Sequence, residues 1–222
     1  MIFYDQIGCG KSDDSVDGTY SIEREIENLE LLRAALGLKT IHIFGESWGS
    51  VLALSYAAKY TKNIERIVLT AVIGLNNQGY HDFKRGLLGR MSIVDKMRLG
   101  IYGMSKTPFD KITRLLDRHY VYSQETLKRK AAVKFNREAN KQISRELGCE
   151  FDLIPIPEGI HQIPIMIAQG SADILPPSYV RKEMIPHLHR SILVEVEKSG
   201  HWTIVEQTAS MLQLSYDFLK DG

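Results

Sequence analysis

Short runs of apolar, often β-branched residues alternate along this chain with longer segments of helical periodicity. The apolar runs lie at 40–44, 64–72, 163–168 and 191–196, and residues 2–4 have the composition of a strand end. Helical spacing follows Ser21 and continues through residues 48–60 and 203–219. Strands that alternate with helices are typical of a parallel sheet covered on both faces. The sequence therefore predicts the α/β class with a mostly parallel sheet flanked by helices.

The alternation stops in the middle third of the chain. Residues 75–160 contain several amphipathic helical patterns with Pro and Gly breaks and no clear strand pattern. A chain of 222 residues with 44% hydrophobic composition can bury one substantial core. We expect residues 1–74 and 161–222 to form the two parts of that core, with residues 75–160 inserted between them as a helical cap.

Charge and cysteine content give no indication of a nucleic-acid, membrane or metal partner. Lys and Arg number 28 against 27 Asp and Glu, so net charge favours neither nucleic acid nor an anionic membrane. Two cysteines form no metal-binding or disulfide pattern, and no apolar run approaches the length that spans a membrane. We expect a cytoplasmic protein with no cofactor, no metal, no nucleic-acid partner and no membrane association. The sequence leaves the oligomeric state open.

The segment Gly-Cys-Gly-Lys-Ser at residues 8–12 suggests a phosphate-binding loop. That loop needs a glycine at position 5, where this chain has Asp5. An acidic turn that includes Asp13 and Asp14 follows, instead of a helix N-terminus that could face a phosphate. These departures exclude a nucleotide site of this kind.

The strongest chemical signal is Gly-Glu-Ser-Trp-Gly at residues 45–49, which fits the pattern G-x-S-x-G. A predicted strand precedes it and a predicted helix follows it, as a nucleophile elbow requires. In such an elbow the serine lies on a strained turn and its hydroxyl projects free of the backbone. We therefore predict Ser47 as a nucleophile, with the amide of Trp48 as a donor to an oxyanion.

A nucleophilic serine needs a base and an acid that orients the base. In folds that carry a G-x-S-x-G elbow, these residues follow one another along the chain in the order Ser, acid, His. Of the seven histidines, His201 follows a strand and precedes a helix, at the carboxyl end of the sheet where catalytic groups collect. Asp173 lies just beyond another strand, 28 residues before His201. The alternative acid is Asp152, which precedes that strand. The alternative histidines lie within a strand, in the insertion or near element edges: His42, His81, His119, His161, His187 and His189.

Four segments carry a resemblance to a known family: "FYDQIGCGKSD" at 3–13, "FGESWGSVLAL" at 44–54, "GSADILPP" at 170–177 and "SGHW" at 199–202. The chain resembles the α/β-hydrolase superfamily and, within it, the proline iminopeptidase-like serine peptidases, over about two-thirds of its length. The resemblance implies a catalytic triad of Ser47, Asp173 and His201. It also implies that residues 8–12 form a turn beside the active site.

Two departures from this family bear on structure and substrate. The resemblance implies three earlier strands and a His-Gly-Gly-type loop that supplies a second oxyanion donor, and we expect this chain to lack those N-terminal strands. Iminopeptidases hold the free amino terminus of the substrate with carboxylates, some from the cap. Here residues 81–146 carry an excess of nine positive charges, and Glu125, Glu138 and Glu146 do not match the family pattern.

Three functional hypotheses remain at this stage. The leading one is a serine aminopeptidase that releases N-terminal residues, such as proline, from short peptides through an acyl-enzyme. The second is an esterase or small-amide hydrolase, whose basic cap suits substrates that carry a carboxylate. The third is an inactive truncated remnant or a binding protein.

Overall fold

The computed structural model describes residues 1–104, 108–130 and 134–220. Within these residues four strands form one parallel sheet in the order β1 (Ile41–Glu46), β2 (Ile64–Thr70), β3 (Ile165–Gly170) and β4 (Ser191–Val196). The predicted α/β class with a parallel sheet is confirmed. Because all four strands are parallel, their carboxyl ends lie at one edge of the sheet, where the candidate catalytic residues follow.

Helices flank and connect the strands. The α-helices are α1 (Ile22–Ala35), α2 (Trp48–Lys59), α3 (Asn77–Arg90), α4 (Ile93–Met104), α5 (Phe109–Asp117), α6 (Arg137–Cys149), α7 (Pro177–Glu183), α8 (Thr203–Glu206) and α9 (Thr208–Lys220). Short 3₁₀ turns occupy Thr61–Asn63, Gln124–Arg129, Glu158–Gln162 and Ile185–His187. The ends of the four observed strands lie within two residues of the ends of the apolar runs at 40–44, 64–72, 163–168 and 191–196 that predicted them.

Local chemistry explains where α1 begins and ends. The Ser21 hydroxyl accepts a hydrogen bond from the backbone N–H of Arg24, which satisfies one donor of the first turn. Glu23 and Glu25 in that turn complement the helix dipole. Gly37 follows the helix at φ 66°, a conformation that glycine adopts without steric cost.

The core lies between the sheet and the helices on its faces. All six residues of β3 are buried, as are all but two of β2. Helix α2 packs against β1 and contributes eight buried residues, and α1 adds Ile22, Ile26 and Leu29. Burial of a full aliphatic side chain stabilises the fold by about 1.5–3 kcal/mol, so these layers hold the strand ends in place.

The insertion predicted at 75–160 falls between β2 and β3, which are neighbours in the sheet. Its described part contains α3 to α6 and no strand of the sheet. Residues 105–107 and 131–133 of that range, and residues 221–222 of the last predicted core part, lie outside the described residues. The insertion joins the core through buried side chains that include Phe83, Leu87 and Leu147.

Two local predictions are wrong. Residues 2–4 form no strand, and Ile2 and Phe3 are exposed. An isolated strand cannot pair its backbone groups, which is why apolar composition alone does not produce one. The single helix predicted at 203–219 is two helices, α8 and α9, because the chain leaves helical conformation at Gln207 (φ −126°, ψ 47°).

In the portions of the chain that the structure describes, every helix is too short or too polar to cross a membrane.

Candidate active site

The nucleophile elbow lies between β1 and α2. Ser47 has φ 54° and ψ −117°, a conformation that L-residues rarely adopt. Its backbone N–H donates to the carbonyl of Thr70 at the end of β2 (3.1 Å). Trp48 is the first residue of α2, so its amide has no acceptor within the helix. The strand-to-helix turn thus presents a serine hydroxyl beside an uncommitted N–H.

A glycine at position 45 allows this turn. A Cβ atom at Gly45 would lie 2.3 Å from the carbonyl oxygen of Gly49, closer than any real contact. At Gly49 a Cβ atom would meet nothing within 4 Å. The close approach of the strand to the helix therefore depends on Gly45 rather than on both glycines of the motif.

The structure brings Ser47, His201 and Asp173 together from three different strand ends. His201 Nε2 lies 2.9 Å from Ser47 Oγ, and His201 Nδ1 lies 2.9 Å from Asp173 Oδ1. A carboxylate can only accept, so Nδ1 carries the proton and Nε2 accepts from the Ser47 hydroxyl. The Asp173 side chain is fully buried and His201 is 4% exposed. The arrangement can withdraw a proton from the serine and hold the resulting imidazolium.

The insertion holds the imidazole from one side. The backbone N–H of His201 donates to the carbonyl of Tyr120 (2.6 Å). The rings of Phe83 and Tyr120 lie with their centroids 4.9 Å and 5.3 Å from that of His201. A Cβ atom at Gly200 would lie 2.4 Å from the Tyr120 carbonyl oxygen, so glycine permits this approach.

Glu206 ties the same two segments together. Its carboxylate accepts from the backbone N–H of Gly200 (2.7 Å), Tyr122 (3.1 Å) and Ser123 (2.8 Å), and from the hydroxyl of Thr126 (3.0 Å). Sequence reasoning missed Glu206. The only signal for it in the sequence is an acidic residue five positions after His201, inside the predicted helical segment at 203–219.

Gln169, near the end of β3, supports the loop that carries Asp173. It is fully buried, accepts from the backbone N–H of Val72 (3.0 Å) and donates to the carbonyl of Leu175 (2.8 Å). The side chain thereby joins the loop after β2 to the loop after β3. A polar residue inside an otherwise apolar strand was the signal that could have identified it.

The segment "GCGKS" forms a turn that its own chain stabilises. Asp5 accepts from the Lys11 backbone N–H (2.9 Å), and the Ser12 hydroxyl donates to the Asp5 carbonyl (2.6 Å). Just before this turn, the Gln6 side chain accepts from the indole N–H of Trp48 (3.0 Å). The loop therefore contacts the elbow, as the resemblance implies.

The alternative residues lie elsewhere. His42 is 3.3 Å from Glu65, His81 contacts the carbonyl of Gly148, and His119 is 3.6 Å from Asp95. The rings of His161 and His189 stack on each other with centroids 3.8 Å apart. Asp152 accepts from the backbone N–H of Ile154 (2.8 Å) and pairs with Asn76.

The three carboxylates of the insertion that the sequence singled out have other partners. Glu125 pairs with Lys128 on the surface, and Glu138 accepts from Gln142 (3.0 Å). Glu146 accepts from the backbone N–H of Ile22 (2.9 Å), and burial raises the pKa of its carboxyl.

Comparisons with known proteins place this geometry in context. The family model described as alpha/beta hydrolase fold matches residues 1–208. A proline iminopeptidase of Clostridioides difficile (strain 630) is 27% identical over 242 aligned positions, which cover 99% of this chain and 80% of that protein. A proline iminopeptidase of Lactobacillus crispatus (strain ST1) is 27% identical, covering 96% of this chain and 78% of that protein.

Solved structures show the same fold. An alpha/beta fold family hydrolase from Bacillus anthracis str. Sterne superposes with a TM-score of 0.75 at 20% identity, covering 96% of this chain and 80% of that one. A thermophilic esterase from Thermogutta terrifontis superposes with a TM-score of 0.66 at 17% identity, covering 98% and 78%.

Proposed function

The chain belongs to the α/β-hydrolase fold family, and from that premise we propose that it is a serine hydrolase with Ser47, His201 and Asp173 as its catalytic triad. The observation that supports the proposal most directly is the unbroken chain of hydrogen bonds from the Ser47 hydroxyl through His201 to Asp173. The strained backbone of Ser47 supports it further, because such strain is concentrated at functional sites.

Each side chain has a distinct part in the proposed mechanism. Ser47 Oγ attacks the substrate carbonyl carbon while His201 Nε2 takes the hydroxyl proton, and Asp173 stabilises the imidazolium. The carbonyl oxygen becomes an oxyanion that accepts from the Trp48 amide. When the tetrahedral intermediate collapses, the bond to the leaving amine or alcohol breaks and His201 returns the proton to that group. Water then releases the acyl group, with His201 again as the base.

For the substrate, we favour a short peptide from which an N-terminal residue is released. The support is the similarity to proline iminopeptidases over nearly the whole chain. We also propose a cytoplasmic location. Cys9 and Cys149 are both unpaired, and free thiols fit a reducing compartment.

A short ester or amide that carries a carboxylate is the second candidate substrate. Two observations favour it: the excess of positive charge over residues 81–146, and the commitment of Glu125, Glu138 and Glu146 to other partners. An aminopeptidase would need a free carboxylate to bind the substrate ammonium group, and these three are engaged.

Residues 75–160 act as a lid in this proposal. Phe83 and Tyr120, both from the insertion, pack against the imidazole of His201. A lid in this position would exclude water from the imidazolium and cover the bound substrate.

A fluorophosphonate probe tests the proposed nucleophile. The wild-type protein should form a covalent adduct, and Ser47→Ala should abolish it. Ser55→Ala, a change at a buried serine of α2, the helix that follows Ser47, is the matched control and should label like wild type. Absence of labelling in folded wild-type protein would favour an inactive remnant or a binding protein.

The two substrate classes separate in a direct rate comparison. An aminopeptidase should cleave a prolyl-arylamide with the higher kcat/KM, and the second candidate should prefer a short acyl ester with a carboxylate. Blocking the amino group of the prolyl substrate should remove activity only in the first case.

A further inference from the structure

Glu46, the residue directly before Ser47, is a carboxyl group that the mechanism above does not use. It is the last residue of β1 and pairs with Thr70 in the sheet. Its Oε1 atom is shielded from solvent and has no hydrogen-bond partner among the described residues. An unpartnered buried oxygen is costly, so its position beside the nucleophile calls for a physical reason.

The surroundings of Glu46 supply that reason. Its carboxyl interacts with the charges of His201 and Asp173 and with the backbone N–H of Ile204 in the first turn of α8. These are the charged and titratable groups that act on Glu46 in the described part of the chain. Asp173 Oδ2 is also buried without a partner. Two carboxylates therefore share one shielded region with one imidazole.

Asp173 and His201 have opposite effects on the pKa of Glu46. Burial, the largest cause, and the negative charge of Asp173 raise the pKa of Glu46, while His201 and the Ile204 N–H lower it, with a net value of about 7. When His201 becomes an imidazolium during the reaction, a second negative charge nearby stabilises it. A carboxyl that ionises near neutral pH can supply that charge only in part of the pH range.

We propose that Glu46 is a positioning residue for His201: when ionised, it stabilises the imidazolium that forms as Ser47 loses its proton. The inference rests on the proposed function, since it presupposes that His201 takes that proton. It assigns a role to the variable second position of the G-x-S-x-G motif.

The experiment compares wild type with Glu46→Gln, which retains an acceptor for the Ile204 N–H and removes the charge. The pH dependence of kcat/KM with an activated acyl ester is the readout. Without the anion, the imidazolium is less stable both in the free enzyme and in the transition state. The high-pH plateau should therefore fall about tenfold, and the midpoint of the acidic limb should fall by about one pH unit.

Glu25→Gln is the matched control. Glu25 is another buried carboxyl with an unpartnered oxygen, a pKa raised to about 7 by burial and a backbone N–H partner at Ile7. Its charge acts on Tyr4 and Cys9 rather than on His201. Its replacement should leave the midpoint of the acidic limb unchanged. Thermal melting of both variants separates loss of fold from loss of charge.

Two outcomes would overturn the inference. One is a Glu46→Gln profile that matches wild type in plateau and midpoint. The other is a lower plateau with an unchanged midpoint, which a purely structural role would produce. If wild-type protein shows no turnover that depends on Ser47, the proposed function fails instead. The titration of the His201 imidazole, followed by ¹⁵N NMR, then still tests Glu46: its midpoint should fall in Glu46→Gln.

Discussion

Ser47 holds a backbone conformation that costs a serine on the order of 1–3 kcal/mol, and the surrounding structure maintains it. The Thr70 carbonyl accepts its N–H, and the hydroxyl of Ser50 donates to its carbonyl (2.6 Å). The strain keeps the hydroxyl clear of the backbone and within reach of His201. The contacts of the surrounding structure therefore offset the energetic cost of the Ser47 conformation, which orients this one side chain.

Ser47→Ala and His201→Ala test whether these residues act as a unit. Each single change should reduce kcat/KM by about 10⁴–10⁶, and the double change should cost no more than the larger single one. The reason is that the imidazole has no proton to take once the hydroxyl is gone. Steady-state kinetics with an activated ester gives all three values. Losses that multiply in the double variant would contradict the triad.

Asp173→Asn should reduce kcat by about 10⁴ with little change in the fold, because the amide favours the wrong imidazole tautomer. Asp152→Asn is the matched control, since Asp152 contacts Ile154 and Asn76 rather than His201. It should retain near wild-type rates. The reverse pattern would show that Asp152, and not Asp173, is the acid.

At the scale of the elements, the loop between β4 and α8 depends on contacts with its neighbours. Gly200 packs against the Tyr120 carbonyl, and the Gly200 N–H donates to Glu206. The first contact reaches the inserted segment directly, and Glu206 in turn accepts hydrogen bonds from residues 122, 123 and 126 of that segment. The imidazole is therefore placed by the insertion as well as by the sheet, and the two must fit each other for the site to form.

Gly200→Ala should lower both the melting temperature and kcat/KM, because the added Cβ atom meets backbone that cannot move aside. Gly89→Ala provides the control, since a Cβ atom there meets nothing within 4 Å. Gly89 lies in the last turn of α3, where that change should be neutral or should stabilise the protein by up to about 1 kcal/mol. Thermal unfolding and ester turnover measure both effects. Wild-type behaviour of Gly200→Ala would show that the loop can shift freely.

The sequence allowed prediction of the elements whose signals are local. Ser21 with Glu23 and Glu25 marks the start of α1, and the β-branched run at 64–72 marks β2. Residues 2–4 carry a similar apolar signal, but pairing with a neighbour decides whether a strand forms, and that information is not local. Glu206 and Gln169 could not be predicted for the same reason, because their roles depend on contacts between distant segments.

At the scale of the whole molecule, buried carboxyl groups link stability to pH. Burial raises the pKa of Glu25 from its ordinary value of 4.5 to about 7. Between these two values the folded state binds more protons than the unfolded state. The free energy of unfolding therefore falls as pH rises from about 4.5 to 7 and levels off above that range. Glu46 contributes in the same direction.

Glu25→Gln should flatten this dependence. A neutral amide does not titrate, so the loss of stability between pH 5 and pH 8 should shrink by about 2 kcal/mol. Urea unfolding at both pH values gives the comparison. Glu23→Gln is a suitable control, since Glu23 lies in the same helical turn with an exposed side chain that pairs with Lys59. An unchanged pH slope in Glu25→Gln would assign the dependence to other groups.

The three side chains of the site follow β1, β3 and β4, so the site spans the full width of the four-stranded sheet. The outer strands of such a sheet lie roughly 14 Å apart, yet Ser47 Oγ and His201 Nε2 are 2.9 Å apart. The loop after β4 must therefore arch across two strands to reach the serine. Any slippage, splaying or added twist between neighbouring strands accumulates over that span and appears as misalignment at a single hydrogen bond. In the proposed mechanism, the rate of turnover therefore depends on the alignment of neighbouring strands, and a disturbance of the sheet that leaves its helices intact should lower it.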